Sequence, residues 1–277
     1  IVYTPLHGVG RKLALRALEH RGIQVISVVA EQGDPDGYFP TVRFPNPEEP
    51  GALDLALQLA RRTSSTLILP NDPDADRLAA VVRNADGRYE QLSGDQLGAL
   101  LASHILEQRQ RNGTLPTGGF VVTTVVSSGL LARMAESYGV RCERTLTGFK
   151  WICNRAVDLE RQGGTFLFGY EEALGYCVGR AVRDKDGIGA AAVLAELAGL
   201  EAAAGRNLLD RLDSIYRKFG LYVTKQISVL LPGAEGQRQI RDTVARLRSN
   251  PPAELGGRKL LVFSDLVTGL VLDRRTG

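Results

Sequence analysis

Short apolar runs alternate along the chain with longer segments in which apolar residues recur every three or four positions. The short runs predict strands and the longer segments predict helices, so the pattern indicates layered α/β structure rather than a sandwich or a helical bundle. Two rounds of this pattern follow one another, and a third begins near the end of the chain. We therefore expect two similar α/β units and the start of another.

The first round begins with an apolar segment, IVYT, and passes through PLHGVG to a segment of helical period, RKLALRALEHRG. The segment IQVISVV is extended, and a loop rich in glycine, proline and aspartate follows from Gly33 to Gly51. ALDLALQLARRT has helical spacing, and TLILP and RLAAVV are predicted strands. Turn residues from Leu92 to Asp95 mark a boundary, after which the pattern starts afresh.

The second round repeats the alternation. Its predicted helices are QLGALLASHILEQRQ, LLARMAESYG, KWICNRAVDLERQ and the Ala/Leu-rich GIGAAAVLAELAGLEAAAG. Its predicted strands are GFVVTTVVSS, VRCERTLTG and TFLFGY. From Leu221 onward, YVTKQISVLL, a helix near residues 235–248 and KLLVFSDLVTGLVL indicate the opening of a third unit.

Composition limits the classes of function. The 277 residues are 44% hydrophobic, as in globular proteins, and the net charge of +3 with no basic block argues against a nucleic-acid partner. No apolar run approaches the roughly 20 residues that span a bilayer, and no basic-then-apolar leader precedes the fold, so we expect no membrane partner. The first residues look like a strand without an initiator methionine, which suggests a piece of a longer protein.

The three cysteines are Cys142, Cys153 and Cys177, an odd number without the spacing of a zinc site or a disulfide framework. A reducing compartment is the simpler interpretation of such cysteines, because disulfides are rare there. We therefore expect the protein to be cytoplasmic.

The stretch LILPNDPDADRLAAVV places Asp72, Asp74 and Asp76 on alternate residues after a predicted strand, with Arg77 next. Carboxylate oxygens suit hard divalent cations, and ligand loops in α/β sheets tend to follow the carboxyl ends of strands. The alternative is a solvated turn, since Asn, Asp and Pro are common turn formers. An EF-hand is excluded, because its positions six and twelve, counted from Asp72, would be arginines.

Three further motifs carry candidate chemistry. In FGYEEALGY, Glu171 and Glu172 follow a strand and could accept hydrogen bonds from vicinal sugar hydroxyls, although a charged turn is the alternative. In RAVRDKDGIGAAA, Lys185 lies just before a helix that an aspartate caps, where a phosphate would be favoured. In TLTGFKWI, Lys150 follows a glycine, but in isolation a surface lysine is the better interpretation.

The motifs NDPDADR, TLTGFK, GYEEALGY and VRDKDG, in this order and spacing, resemble the α-D-phosphohexomutase superfamily, particularly its phosphoglucomutase and phosphopentomutase branch. The resemblance covers nearly the whole chain. It implies two successive three-layer α/β domains with mixed sheets and an incomplete C-terminal α+β domain. These would be the family's second domain over residues 1–92, its third over 93–218 and the start of its fourth over 219–277.

The resemblance also implies roles for the motif residues. The Mg²⁺ ligands would be Asp72, Asp74 and Asp76. The residues that bind the phosphorylated sugar would be Arg77, Lys150, Glu171 and Glu172. Lys185 would act in substrate binding or proton transfer. The implied reaction interconverts the 1-phosphate and the 6-phosphate of glucose or mannose, or the 1-phosphate and 5-phosphate of ribose, through a phosphoserine enzyme and a bisphosphate.

The sequence departs from the family pattern at three places. The serine loop, roughly Thr-Ala-Ser-His-Asn-Pro, has no match, because Ser103 in LASHILEQ lies within a predicted helix and is expected to be structural. The Arg-Ser-Gly-Thr phosphate loop is also absent from these residues. Ala173 stands where many relatives have serine, which leaves hexose specificity open.

Because the serine loop has no match, we expect the chain to be inactive alone, as part of a phosphosugar mutase. Two alternatives stay open at this point. One is a phosphatase of the haloacid-dehalogenase type with an aspartate nucleophile, although Ala75 and a third aspartate follow the Asp-x-Asp pair here. The other is a non-catalytic module that binds sugar phosphates.

Overall fold

A computed structural model describes residues 1–225 and 229–275, and these divide after Thr224 into two compact units. The first unit contains two mixed α/β sheets, as the resemblance implied. Its helices are α1 (Arg11–His20), α2 (Asp54–Thr63), α3 (Gly94–Arg111), α4 (Leu130–Ser137), α5 (Phe149–Arg161), α6 (Gly187–Ala203) and α7 (Leu208–Phe219).

The first sheet has the strand order β2-β1-β3-β4-β5. Its strands are β1 (Val2–Thr4), β2 (Ser27–Val28), β3 (Leu67–Pro70), β4 (Val81–Arg83) and β5 (Tyr89–Gln91). The strands β2 and β3 flank β1 in parallel, whereas β4 and β5 are antiparallel additions at one edge. Because β1 and β3 are parallel neighbours, the loops after them leave the sheet at the same edge.

The two faces of this sheet bury different clusters, as the alternation of side chains in a strand requires. Val2 and Ile68 pack with Ala56 and Ala60 of α2 on one face. Tyr3, Leu67 and Leu69 pack on the other face in a larger cluster, which includes residues of α1 and α3. The sheet therefore lies between helices, in three layers.

The second sheet has the order β7-β6-β8-β9. Its strands are β6 (Gly119–Thr124), β7 (Arg141–Thr145), β8 (Thr165–Glu171) and β9 (Gly175–Cys177). The strands β7 and β8 are parallel to β6, and β9 is antiparallel to β8. One face of this sheet packs on α5, with Phe120 and Val122 beside Ile152, while Val121 faces the large cluster shared with the first sheet.

The two α/β rounds share one core. The large cluster includes Tyr3 and Leu69 from the first sheet, Tyr170 from the second and Leu194 from α6. An ion pair between Arg21, the residue that follows α1, and Glu196 of α6 adds a polar contact at the same junction. The first two rounds are therefore packed as one body, Ile1–Thr224.

Some elements differ from the sequence-based expectation. The extended segment IQVISVV contributes only the two residues of β2, and GFVVTTVVSS ends as a strand at Thr124. The short strands β5 and β9 and the helix α7 were not expected. Ser103 lies inside α3, is buried and accepts a hydrogen bond of 2.6 Å from Arg211 Nη2, which agrees with a structural role.

The second unit begins at Lys225. Its described elements are α8 (Gly233–Ser249), β10 (Glu254–Leu255), β11 (Arg258–Lys259), β12 (Val262–Asp265) and β13 (Leu270–Asp273). The pairs β10/β11 and β12/β13 are antiparallel hairpins. The expected segment YVTKQISVLL includes residues 226–228, which lie outside the described residues, and its other residues form no strand.

Within the described ranges, no single helix is long and apolar enough to cross a membrane. Only α6 and α7 taken together would meet that requirement by length and composition, and a bend of 91° separates them.

Two helical glycines give a stability test of the shared core. A Cβ atom at Gly98 of α3 would lie 2.6 Å from Tyr170 Cδ2, whereas a Cβ atom at Gly199 of α6 would meet nothing within 4 Å. We expect Gly98→Ala to lower the free energy of unfolding by about 1–3 kcal/mol through overpacking. Gly199→Ala should raise it by about 0.5–1 kcal/mol through helix propensity. Urea unfolding of the 277-residue chain measures both, and equal effects would contradict the packing described here.

Candidate functional site

The acidic loop, residues 72–76, follows β3 at the carboxyl edge of the first sheet. Each of its three aspartates offers a carboxylate oxygen, and these oxygens lie within 4.8 Å of one another. Asp72 is only 7% exposed, Asp76 is half-buried and Asp74 is exposed. The loop therefore presents three converging acids, one of them from the interior.

Buried hydrogen bonds fix the shape of the acidic loop. Tyr3 Oη donates to Asn71 Oδ1 at 3.0 Å, and Asn71 Nδ2 donates across the loop to the carbonyl of Arg77 at 2.6 Å. The backbone N–H of Arg77 donates to Asp72 Oδ1 at 3.0 Å. Ala75 takes the left-handed conformation, with φ 60°, which turns the chain between the second and third acids.

The PLHGVG segment packs directly on the acidic loop. The backbone N–H of Val9 donates to the carbonyl of Pro73 at 2.8 Å. A Cβ atom at Gly8 would lie 2.2 Å from Pro73 Cα, and one at Gly10 would lie 2.7 Å from Ala75 Cβ. These glycines allow the close approach of the two loops, so the PLHGVG segment supports the acidic loop.

The pKa of Asp72 is raised to about 6. Burial is the largest cause, and the charges of Asp76 and Asp74 add to it, while the hydrogen bond from Arg77 acts in the opposite direction. A divalent cation among the three carboxylates would relieve this repulsion, and hard oxygen donors are the ligands that Mg²⁺ prefers. The loop therefore fits a magnesium ion in both donor type and charge.

Lys185 of the second α/β round reaches the acidic loop of the first. Its Nζ lies 2.9 Å from Asp76 Oδ2 and 3.3 Å from Asp184 Oδ1. Burial alone lowers the pKa of Lys185, but the hydrogen bonds and charges of these carboxylates outweigh it, and the pKa is raised. Lys185 thus supplies a positive charge at the rim of the three acids.

Glu171 lies beside the same lysine. A Cβ atom at Gly175 would lie 3.0 Å from both Glu171 Cγ and Lys185 Cδ, so the two side chains flank this glycine. Glu171 is 7% exposed, and its Oε2 is buried without a hydrogen-bond partner among the described residues. Burial raises the pKa of Glu171, while the charge of Lys185 and the backbone N–H of Gly148 act against that rise.

Backbone contacts join the acidic loop to the loop at residues 171–175, which we call the glutamate loop. Arg77 forms an antiparallel β-bridge with Gly175, and the N–H of Leu78 donates to the carbonyl of Leu174 at 3.2 Å. The Nε of Arg77 is buried and lacks a hydrogen-bond partner among the described residues, since its nearest carboxylate, Asp72, is 3.8 Å away. Arg77 and Glu171 thus each have one buried polar atom without a hydrogen-bond partner among the described residues.

Glu172 and Lys150 contact partners outside the acidic loop and Lys185. Glu172 Oε2 accepts hydrogen bonds of 2.7 Å from Ser127 Oγ and 3.2 Å from Thr124 Oγ1, so its carboxylate is held by the loop after β6. Lys150 is exposed, and its Nζ lies 5.4 Å from the centre of the Trp151 ring. The structure therefore brings together six of the eight predicted residues, namely Asp72, Asp74, Asp76, Arg77, Glu171 and Lys185.

Sequence reasoning missed two residues that support this site. Ser127 holds Glu172, and buried Asp95 accepts hydrogen bonds from Ser128 N at 2.8 Å and Tyr170 Oη at 2.9 Å. Ser127 lies in the turn between β6 and α4, and Asp95 lies in the first turn of α3, but the partners of both residues are distant in sequence. Only the tertiary contacts identify them.

The sequence matches known families over both α/β rounds. Residues 1–87 match the family described as phosphoglucomutase/phosphomannomutase, alpha/beta/alpha domain II, and residues 93–219 match its alpha/beta/alpha domain III. The chain therefore belongs to the phosphoglucomutase/phosphomannomutase family of the α-D-phosphohexomutase superfamily. The resemblance stated from the motifs is confirmed, and the dehalogenase alternative loses its support.

Individual relatives are similar over nearly all of this chain. It is 43% identical over 266 residues to a Haemophilus influenzae protein named "Probable phosphomannomutase", a match that covers 95% of this chain and 51% of that protein. It is 37% identical over 274 residues to human phosphopentomutase, covering 97% of this chain and 45% of that protein. The chain spans about half the length of the curated relatives it matches.

Solved structures share the fold. The Paramecium phosphoglucomutase pp63/parafusin, in its open form, has a TM-score of 0.63 at 18% identity, and the match covers 99% of this chain and 47% of that one. The Aspergillus fumigatus N-acetylphosphoglucosamine mutase, in complex with GlcNAc-6P and magnesium, has a TM-score of 0.52 at 16% identity, covering 77% of this chain and 45% of that one. At these identities the likeness concerns the fold alone.

The raised pKa of Asp72 predicts a pH-dependent cost to the folded state. Because the folded pKa of about 6 exceeds the ordinary 3.8, stability falls as the pH rises through this interval, by about 3 kcal/mol at most. Asparagine does not ionise and can still accept from Arg77 N. In metal-free buffer at pH 7.5, we expect Asp72→Asn to raise the free energy of unfolding by about 1–3 kcal/mol, and the gain should shrink towards pH 4.

Denaturant unfolding at the two pH values measures this effect. Asp86→Asn is the matched control, since Asp86 is an exposed turn residue paired with Arg88. If the Asp72→Asn variant is less stable than the wild type at pH 7.5, the ionised Asp72 carboxylate does not destabilise the folded state, and the prediction is wrong.

Proposed function

We propose that this chain is part of a phosphosugar mutase, which moves a phosphoryl group between the 1-position and the 6-position, or the 5-position of a pentose. The observation that carries the proposal is the 2.9 Å contact between Lys185 and Asp76, which brings the acidic loop next to a lysine that also flanks Glu171. The curated relatives named phosphomannomutase, phosphopentomutase and phosphoglucomutase support the same class of reaction.

We propose that Asp72, Asp74 and Asp76 hold Mg²⁺. The convergence of their oxygens within 4.8 Å and the raised pKa of Asp72 support this assignment, because both indicate negative charge that a cation would balance. When bound, Mg²⁺ supplies positive charge that stabilises the transferred phosphoryl group. Mg²⁺ binds ionised carboxylates, so the affinity of the loop for Mg²⁺ should decrease when the pH is lowered below the pKa of Asp72.

The side chains around the metal loop have complementary roles in the proposal. The guanidinium of Arg77, whose Nε is unpartnered, binds phosphoryl oxygens, and the ammonium of Lys185 holds positive charge beside them or moves a proton. The free Oε2 of Glu171 accepts a hydrogen bond from a sugar hydroxyl. Lys150, exposed at the start of α5, contacts the outer end of the substrate.

Glu172 is proposed to act by orienting the glutamate loop, since its Oε2 already accepts hydrogen bonds from Ser127 and Thr124.

The proposed substrate is a glucose, mannose or ribose phosphate. Ala173 has no hydroxyl group, so this position offers no side-chain hydrogen-bond donor to a hexose. The phosphoserine that the resemblance implies has no match in these 277 residues, so the proposal concerns a protein that supplies it elsewhere. Three free thiols fit a cytoplasmic location.

Metal binding by the isolated 277-residue chain tests the metal assignment. We expect Asp74→Asn to weaken Mg²⁺ binding at least tenfold at pH 7.5, because it removes one of three anionic ligands. Isothermal titration calorimetry measures the affinity, with Asp86→Asn as the control that should bind like the wild type. Equal affinity in all three proteins would refute the assignment.

Turnover by a longer protein that contains this chain tests the mutase proposal. With glucose 1-phosphate or ribose 1-phosphate and Mg²⁺, the wild type should form the corresponding 6-phosphate or 5-phosphate. Glu171→Gln should lower kcat/KM about 5- to 150-fold, since one charge-assisted hydrogen bond is worth on the order of 1–3 kcal/mol. Glu90→Gln, an exposed position on β5, should have no effect. A wild type without turnover on any of these sugar phosphates would contradict the proposed reaction.

A further inference from the structure

The segment that carries Lys185 has few contacts of its own. We call residues 178–186, between β9 and α6, the lysine loop. Residues 180–184 are exposed and form neither helix nor strand. A loop of this kind needs anchors from outside to place one side chain accurately, because an unsupported side chain loses its position to conformational freedom.

One face of α5 supplies those anchors. Phe149, Cys153 and Glu160 are spaced four and seven residues apart, so they lie on the same side of the helix. Lys185 Nζ lies 5.7 Å from the centre of the Phe149 ring. Cys153 packs in the same buried cluster as Cys177, whose Sγ lies 3.2 Å from the carbonyl of Gly179 at the start of the lysine loop.

Glu160 holds the middle of the lysine loop through two arginines. Its Oε1 lies 2.9 Å from Arg180 Nε, and its Oε2 lies 2.7 Å from Arg183 Nη2. The Glu160 side chain is only 13% exposed. Exposed ion pairs usually contribute little, and Arg180 is 63% exposed. Neither contact of Glu160 has hydrogen-bond geometry, and its Oε1 has no hydrogen-bond partner among the described residues, so the carboxylate holds the loop through two ion pairs rather than through hydrogen bonds.

The second of these arginines lies close to the site along the chain. Arg183 precedes Lys185 by two residues, a backbone path of about 7 Å at full extension. Lys185 in turn ends 2.9 Å from Asp76 of the acidic loop. A change in the position of Arg183 is therefore transmitted to Lys185 over a distance comparable to one side chain.

We propose that Glu160 is a positioning residue for Lys185, which it places against Asp76 by anchoring Arg180 and Arg183. The effect of Glu160 on catalysis rests on the proposed function, whereas its effect on the position of Lys185 concerns this chain alone. Glu160 touches neither the three aspartates nor Glu171 in the described contacts, so it acts only through the lysine loop.

The test measures the reactivity of Lys185 in the 277-residue chain by competitive acetylation and mass spectrometry. In the wild type, Lys185 should react slowly, because its side chain is only 17% exposed and its Nζ is held 2.9 Å from Asp76 Oδ2. Glu160→Gln should raise the labelling of Lys185 at least threefold relative to that of exposed Lys12. Unchanged labelling in a folded Glu160→Gln chain would overturn the proposal.

Two further variants keep the experiment decisive. Asp158→Asn removes an exposed ion pair with Arg161 on the same helix and should leave Lys185 labelling unchanged. If Glu160→Gln does not fold, Arg183→Leu provides the second measurement, because it leaves Glu160 with Arg180 and should give a smaller rise. If Asp158→Asn raised the labelling of Lys185 as much as Glu160→Gln does, the effect would not be specific to Glu160. If a folded Arg183→Leu chain showed no rise in this labelling, the proposed anchor through Arg183 would be wrong.

A kinetic arm separates this inference from the proposed function. In a longer protein with mutase activity, Glu160→Gln should lower kcat/KM at least fivefold, and Glu160→Asp should recover part of the loss. If the wild type has no mutase activity, the proposed function fails, whereas the labelling result still decides the positioning role. If activity is present and labelling is unchanged, the positioning role alone fails.

Discussion

Repulsion among three carboxylates within five residues is the constraint on which the rest of the site depends. The fold opposes it with hydrogen bonds from Arg77 N and Asn71, with the packing of the PLHGVG segment and with the ammonium of Lys185. These contacts do not bring the pKa of Asp72 back to its ordinary value, because burial of the carboxylate raises it and the charges of Asp76 and Asp74 add to that rise. The loop thus concentrates negative charge that a divalent cation would balance.

The shared core makes this arrangement possible. The counter-charge for the acidic loop comes from a lysine in the other α/β round, so the two rounds must be held in a fixed relation. The large cluster that joins both sheets provides that relation, and Gly187 at the start of α6 permits the closest approach, since a Cβ atom there would lie 2.3 Å from the carbonyl of Arg77. Packing within Ile1–Thr224 therefore sets the electrostatics of the site.

The parts of the site that are local in sequence could be predicted, and the parts that depend on tertiary contacts could not. The acidic loop could be recognised because its aspartates are alternate residues after an apolar run, and the α/β layers followed from periodicity. Lys185 contacts Asp76, and Glu172 accepts a hydrogen bond from Ser127. Both contacts join residues that are distant in sequence, so the sequence alone did not predict them. The short strand β9 was missed because its pairing with β8, rather than its composition, defines it.

The β-bridge between Arg77 and Gly175 also bears on how such proteins can be recombined. Because the backbone of the acidic loop is hydrogen-bonded to that of the glutamate loop, the lengths of the two loops are matched to each other. In a chimera that exchanges only one of the two α/β rounds between relatives, these hydrogen bonds would have to form between backbones from two different proteins. Exchange of both rounds together would preserve them. The unit that must be exchanged to keep these backbone hydrogen bonds is therefore the pair of rounds rather than either one.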